Sequence, residues 1–389
     1  MKDITTQKEK LARAQLCLQT TAYADALGMP TQDLTRQAIE AEYGFVDTLV
    51  AAGPAQEIAH GAPAGMVTDD TEQTFILAKI LIEHGAVPPL EFAHGLLEWE
   101  KDMIARGSLD LLGPSTKRAI SALEDGVPPS ETGKYGTTNG AAMRISPVGI
   151  AFDLADRQRF IAAVVQASQV THNTNVALQG AMLVAGAVSA GIAGASRQEA
   201  LEIGLDLARE AATFGNQVCA PDIYLRSRWA IQLLKKCSSR EEILDTLFHQ
   251  ICTSYASHES IPAVAALCAL DVSANEILLL AANAGGDTDT VGAMAGAILG
   301  ACGDSAKIPP ESLELVTTLN SLPIVQTATN LVSLRISKEK ECLIRKRPPK
   351  VGVHYSKLKI GELNQFLPRN RPADQPNYFG FGLLEISPF

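Results

Sequence analysis

The chain has 389 residues, with 33 Lys or Arg against 43 Asp or Glu, a formal net charge of −10 at pH 7. This acidic balance makes the chain a poor candidate for binding nucleic-acid backbones or anionic membrane surfaces, both of which call for clustered Lys and Arg. Hydrophobic residues make up 46% and aromatics only 5%, so a sizeable core is available and Ala, Leu and Gly dominate it, which favours close-packed helices over a β-sandwich.

The first helical stripe is Leu11, Ala14, Leu18, Ala22 and Asp25, closed by Gly28-Met29-Pro30. Asp25 sits on an otherwise apolar stripe and must find a partner inside; it reads as a structural group bonding nearby backbone. Further helices are predicted over residues 71–83, 92–103, 115–124, 158–169, 177–190, 198–212, 223–235, 240–251, 261–270, 274–282 and 290–301. The apolar run 176–194 holds Gln179, Ser189 and many small residues, and reads as a helix buried in a bundle rather than a membrane span. Tyr224 and Trp229 fall on a core stripe. Strand signals are few, and no β-α-β alternation or fixed repeat is visible. The fold class is therefore all-α.

The seven cysteines form no C-x-x-C pair and read as reduced, small core residues. Residues 1–10 are polar, with no secretory signal stretch, which together with the cysteines predicts a cytoplasmic protein. Composition changes at the Arg345-Lys346-Arg347-Pro348-Pro349-Lys350 run. We therefore divide the chain into a helical domain, 1–344, and a C-terminal extension, 345–389. Tyr355, Phe366, Tyr378, Phe379, Phe381 and Phe389 suit an extension packed on the body or on a partner, with Val351, Val353 and Tyr355 alternating as in a short strand.

Two acidic clusters stand before helices. One is Gly65-Met66-Val67-Thr68-Asp69-Asp70-Thr71; the other is Gly285-Gly286-Asp287-Thr288-Asp289-Thr290. Either alone reads as a helix cap, with Asp70 and Gln73, or Asp69 and Glu72, as a capping box. Together they ask for more. A cap needs one oxygen, whereas adjacent carboxylates repel one another unless a cation lies between them. The four carboxylates would balance two hard divalent ions, for which carboxylates and hydroxyls are natural ligands.

These clusters, with Tyr23-Ala24-Asp25-Ala26-Leu27-Gly28-Met29-Pro30, Asn139-Gly140-Ala141-Ala142-Met143-Arg144-Ile145-Ser146-Pro147, Thr171-His172-Asn173 and His258-Glu259-Ser260-Ile261-Pro262-Ala263, resemble the ADP-ribosylglycohydrolases. The resemblance spans roughly residues 11 to 303. It implies a single orthogonal multi-helix domain with a binuclear Mg²⁺ or Mn²⁺ centre in a cleft, and hydrolysis at C1 of an α-linked ribose. Carried over motif by motif, the metal ligands are Thr68, Asp69, Asp70, Asp287, Asp289 and Thr290. Asp69, Asp70 and Asp289 take the catalytic roles. Gly136, Thr137, Asn139, Gly140 and His172 take the substrate-binding roles. Arg144 and Glu259 read as structural partners near the pocket.

One position departs from the family. Many members carry Glu just after the Gly-x-Pro turn, where this chain has Gln32, and an amide cannot take a proton. Another carboxylate then acts as base, or the register differs and the acid is Glu40 or Glu42, or activity on the usual substrate is reduced. Three functions stay open. The first is removal of ADP-ribose from a protein or small acceptor. The second is hydrolysis of a small nucleoside-like metabolite. The third is a catalytically silent relative that binds ADP-ribose. Oligomeric state is not legible.

Overall fold

The computed structural model describes residues 5–107 and 112–346. The aromatic-rich extension from position 347 onward, including the Val351, Val353 and Tyr355 alternation, lies outside the described residues. Among those described, the regular structure is helical, and the only extended pairings are isolated bridges.

The helices run in chain order as α1 (Gln7–Gly28), α2 (Arg36–Tyr43), α3 (Asp69–His84), α4 (Pro89–Ala105), α5 (Pro114–Glu124), α6 (Pro129–Thr132), α7 (Gly140–Met143), α8 (Ser146–Ala151) and α9 (Arg157–Ser168). They continue as α10 (Asn175–Ile192), α11 (Arg197–Glu210), α12 (Ile223–Leu234), α13 (Arg240–Thr246), α14 (Ser257–Cys268), α15 (Ala274–Ala282), α16 (Thr288–Ala301), α17 (Pro310–Leu319) and α18 (Ile324–Lys346). The longer helices predicted from periodicity are all present, with ends displaced by a few residues. The predicted helix 240–251 stops being α-helical at Thr246 and widens into a π turn, Leu247–Ile251, which ends at Cys252 with φ of 70°. Several helices went unread. The short ones, such as α6 and α7, offer less than two turns for a periodicity to register.

The centre of the body is α10. It is long and apolar enough to cross a membrane, but every residue from 176 to 192 is buried among other helices. Beside it, α1 and α16 pack unusually closely, because small residues line the seam. A Cβ on Gly292 would lie 2.8 Å from the Ala24 carbonyl oxygen, and one on Gly296 would lie 2.3 Å from that of Thr20. The buried Arg335 of α18 donates to the carbonyls of Gly149 and Phe152 at the end of α8, and to Asp153 Oδ2 at 2.7 Å. It thus neutralises a helix C-terminus while pairing its own charge.

Two core expectations fail. Trp229 is 40% exposed, stacked under Arg226, and Cys219 is also exposed. Tyr224 is half-buried beneath Arg209 and Arg228. The amphipathic stripe of α12 is satisfied by guanidinium groups on its flank as well as by the core, because a long cationic side chain covers an aromatic ring without losing water at its tip. Cys17, Cys268 and Cys302 are buried free thiols, as read.

Candidate active site

The site begins where α1 ends. Thr68 is the N-cap of α3, its hydroxyl accepting from Asp70 N at 3.4 Å, so Asp69 and Asp70 are the first two residues of the helix. Asp25, in the last turns of α1, is wholly buried and accepts from Thr68 N at 3.0 Å, Thr68 Oγ1 at 2.8 Å, Thr71 N at 3.1 Å and Thr71 Oγ1. This carboxylate buckles α1 to the positive end of α3. Burial raises its carboxyl to about 7 despite those hydrogen bonds.

On the other side, α1 touches the start of α16. A Cβ on Gly28 would lie 2.5 Å from Asp289 N, so only glycine permits this approach. Thr288 Oγ1 donates to the Gly28 carbonyl at 3.0 Å. Gly285 and Gly286, with φ of 77° and 76°, turn the chain into α16, and Gly286 pairs with the segment after the Gly-x-Pro turn. Asp33 N donates to Gly286 O at 2.7 Å and Gly286 N to Leu34 O at 2.9 Å.

The two acidic motifs meet through Thr290, whose hydroxyl donates to Asp70 Oδ2 at 2.9 Å. Asp70 is fully buried, and its Oδ1 has no hydrogen-bond partner. Burial holds its carboxyl well above the usual range, reinforced by the charges of Asp69, Asp289, Asp25 and Asp287. Asp287 occupies the N-cap position of α16, yet its side chain makes no cap bond. It accepts instead from Asn139 Nδ2 at 2.6 Å, and burial pushes its carboxyl up to about 6. The cap reading of this cluster therefore leaves Asp287 unexplained. No three Asp, Glu, His or Cys side chains among the described residues converge tightly enough to hold an ion on their own. A metal here would draw on the Thr68 and Thr290 hydroxyls and on water as well as carboxylates.

A cavity of about 400 Å³ opens above these groups, walled by Gln32, Asp33, Asp69, Gln73, Asp287 and Thr290 on one side and by Thr138, Asn139, Gly140, Arg144 and Tyr255 on the other. The loop 136–140 is pinned to the loop before α14: Asn139 N donates to Tyr255 O at 2.9 Å, Ser257 N to Thr137 O at 3.0 Å and Ser257 Oγ to Thr138 O at 2.7 Å.

A family model described as ADP-ribosylglycohydrolase matches residues 6–341. The chain belongs to the ADP-ribosylglycohydrolase family. It is accordingly a hydrolase of the glycosidase type. It is 32% identical over 320 residues to the uncharacterized protein YegU of Escherichia coli K12, covering 82% of this chain and 96% of that one. It is 28% identical to the ADP-ribosylarginine hydrolase Tri1 of Pseudomonas putida over 80% of this chain and 76% of that one. A solved ADP-ribosylglycohydrolase-related protein complex shares its fold with a TM-score of 0.62, covering 84% of this chain and 99% of that chain at 24% identity.

The family motifs distribute unevenly around the cavity. Asp69, Asp287, Thr290, Asn139 and Gly140 line it, whereas Thr68, Asp70 and Asp289 are buried and are not among its wall residues. Gly136, Thr137 and His172 are not among the wall residues either. Gly136 backs onto Thr171, whose carbonyl oxygen would lie 2.2 Å from a Cβ there. His172 is fully buried, with Nδ1 2.7 Å from Thr171 Oγ1 and Nε2 2.7 Å from Thr138 Oγ1. Gln32 is on the wall and nine-tenths buried, and its Nε2 has no partner. Glu40 and Glu42 are not wall residues; Glu42 Oε2 accepts from Ala55 N at 3.1 Å. Glu259 accepts from Ser254 Oγ at 2.6 Å.

Thr138, within the loop 136–140 that the sequence marks for substrate, is on the wall, whereas Asp33, Gln73 and Tyr255 on the wall carry no site reading in the sequence. Gln73 had a signal, since it lies one turn beyond Asp69 and donates to its Oδ2 at 2.7 Å. Asp33 had little: its φ of 59° is a conformation Asp tolerates, but nothing local announces it.

Proposed function

We propose that the chain is a divalent-metal-dependent hydrolase that cleaves an α-ribosyl bond at C1 and releases ADP-ribose from a modified protein side chain or small acceptor. One observation carries the metal dependence. Asp70 is buried with an oxygen that no donor reaches, amid the charges of four other aspartates. Such an arrangement is costly unless a cation completes it. The donor set is all oxygen, which suits Mg²⁺ or Mn²⁺. Thr68, Asp69, Asp70, Asp287, Asp289 and Thr290 are the residues that would hold two such ions. When bound, the ions would supply positive charge and Lewis acidity toward ribose hydroxyls and water.

The protein side of the chemistry follows from the wall. Asp69 and Asp287 face the cavity, so they can stabilise the positive charge that builds at C1 as the bond to the leaving group lengthens. Asn139 holds Asp287 in place through its amide. Water must lose a proton on attacking C1, and Gln32 cannot accept it. Asp33, the next residue, presents a carboxylate to the same cavity.

The relative named as an ADP-ribosylarginine hydrolase makes ADP-ribosylated arginine the first substrate to test. The test measures ADP-ribose release from ADP-ribosyl-Arg, ADP-ribosyl-Ser, ADP-ribose-1″-phosphate and simple nucleosides, with Mg²⁺, with Mn²⁺ and with chelator. Metal-dependent release of ADP-ribose supports the reading. Release that persists in chelator ends the metal dependence. Turnover of nucleosides alone favours a small-metabolite hydrolase. Binding of ADP-ribose without any turnover favours the silent relative, to which the amide at Gln32 lends its support.

A further inference from the structure

We infer that His172 is a positioning residue that fixes the direction of the Thr138 hydroxyl, so that Thr138 offers its proton to an oxygen acceptor on the substrate. This deepens the proposed function and, for its substrate contact, rests on it.

One chain of hydrogen bonds, from Asp69 to Thr138, assigns every proton along it. It starts at Asp69, whose carboxylate accepts from Gln73 Nε2 at 2.7 Å. That fixes the Gln73 amide, leaving Oε1 to accept from Arg144 Nη1 at 2.7 Å. The same guanidinium donates through Nη2 to Thr171 Oγ1 at 2.6 Å. An arginine has only donors, so Thr171 must accept here. Its own proton then needs an acceptor. Among the described residues the one other polar atom bonded to that hydroxyl is His172 Nδ1, at 2.7 Å. Nδ1 is therefore the acceptor, and in a neutral ring the proton resides on Nε2.

Neutrality follows from the surroundings. His172 is wholly buried, and both burial and the Arg144 charge hold its pKa well below the ordinary histidine value. Nε2–H lies 2.7 Å from Thr138 Oγ1 and donates to it. With that lone pair taken, the Thr138 hydroxyl turns its own proton elsewhere, and Thr138 lines the cavity. The ring seats against Gly140, where a Cβ would lie 2.9 Å from its Cε1, so glycine leaves it the room to reach Thr138. A hydroxyl so directed favours an acceptor oxygen over a donor on the substrate.

The opposite tautomer would leave Thr171 accepting twice with its proton unused, and Thr138 spending its proton on Nε2. The two arrangements predict different spectra. In a long-range ¹H–¹⁵N correlation of the full chain, assigned by loss of the signal in His172→Gln, His172 should show a protonated Nε2 and an unprotonated Nδ1. A protonated Nδ1 overturns the proposal, whatever the protein binds.

Calorimetry with ADP-ribose and Mg²⁺ then reads the substrate contact. Thr138→Val should weaken binding by about two- to tenfold, the worth of one neutral hydrogen bond, and Thr138→Ser should recover most of it. Thr171→Val is not on the cavity wall, yet it should weaken binding and lower the Nε2–H population together. The Thr138→Val/Thr171→Val pair should bind no worse than the weaker single variant, because both remove the same contact. Equal affinity of Thr138→Val and wild type overturns the proposal. Failure of wild type to bind ADP-ribose overturns the reading of function instead, and the tautomer is still decided by the spectrum.

Discussion

The Thr290 hydroxyl lies 2.9 Å from Oδ2 of Asp70 and so joins two acidic motifs that are 220 positions apart in the chain. The contact orients a carboxylate whose other oxygen has no partner. Thr290→Val keeps the shape and removes the donor. It should lower Mg²⁺ affinity by about 10-fold or more, the usual cost of losing a ligand or its orienting partner. Titration calorimetry checks this, and unchanged affinity would mean that Thr290 serves packing alone.

Asp289→Asn removes one of the charges that press on Asp70. Metal binding and turnover should fall together. On the proposed metal-dependent reading, Mg²⁺ should stabilise the wild type by about 2.7 kcal/mol at a hundredfold excess over Kd, and the variant should lack that stabilisation. Without metal, the variant should be no less stable than wild type, because the remaining carboxylates repel less. Thermal unfolding with and without Mg²⁺ separates the two effects; Mg²⁺ affinity equal to wild type would defeat a two-ion site.

Gly28 is where the end of α1 meets the backbone of Asp289, and a methyl group there has no space. Gly28→Ala should cost about 1–3 kcal/mol by forcing backbone apart. It should also reduce turnover more than a core substitution of equal cost, such as Gly296→Ala against the Thr20 carbonyl. Denaturant unfolding beside kcat tests this. Equal turnover in variants of equal stability would show that the α1–α16 seam does not set the site.

The same seam marks what the sequence made legible. The acidic motifs could be read because Thr, Asp and Gly immediately before an apolar helical stripe are local signals, visible without knowing any distant neighbour. The helix of Val291, Met294, Ala295 and Ile298 was legible for the same reason. Gly292, Gly296 and Gly300 repeat every four residues and do mark a close helix contact, but nothing in the spacing says that α1 fills it. His172 and Arg144 are harder still. Their meaning lies in hydrogen bonds to Thr138, Thr171 and Gln73, which only the folded chain brings together. Trp229 misled because a helical stripe does not distinguish burial by core from cover by a neighbouring Arg226.

His172 also carries a pH prediction. Its folded pKa lies well below the ordinary value of 6.5, through burial first and the Arg144 charge second. The unfolded chain therefore binds a proton below about pH 6.5 that the folded chain refuses. Stability contributed by the neutral ring is present above that pH and is lost as pH falls, by up to about 1.4 kcal/mol per pH unit. His172→Gln should flatten this part of the profile. Since other groups titrate in both chains, the difference between wild type and variant is the quantity to read, from chemical denaturation at pH 5 to 8. An identical slope in both would show that His172 takes up its proton without unfolding.

Gln32 sets the sharpest question about the reaction. Its side chain reaches the cavity wall nine-tenths buried, with the amide nitrogen unbonded. A carboxylate placed there would enter the same crowded field as Asp69 and Asp287, and burial with like charges would raise its pKa. Gln32→Glu should therefore tighten Mg²⁺ binding and give turnover a new pH dependence, because a raised carboxyl is a better proton acceptor. The wild type must find its acceptor elsewhere, and Asp33 is the adjacent carboxylate on the wall. Asp33→Asn should then lower turnover by about 100-fold or more in the wild-type background. In Gln32→Glu the same change should cost much less, since the new carboxylate takes over. If Asp33→Asn costs equally in both backgrounds, Asp33 positions something other than the attacking water. If Gln32→Glu alters neither metal affinity nor the pH profile, position 32 takes no part in the proton transfer.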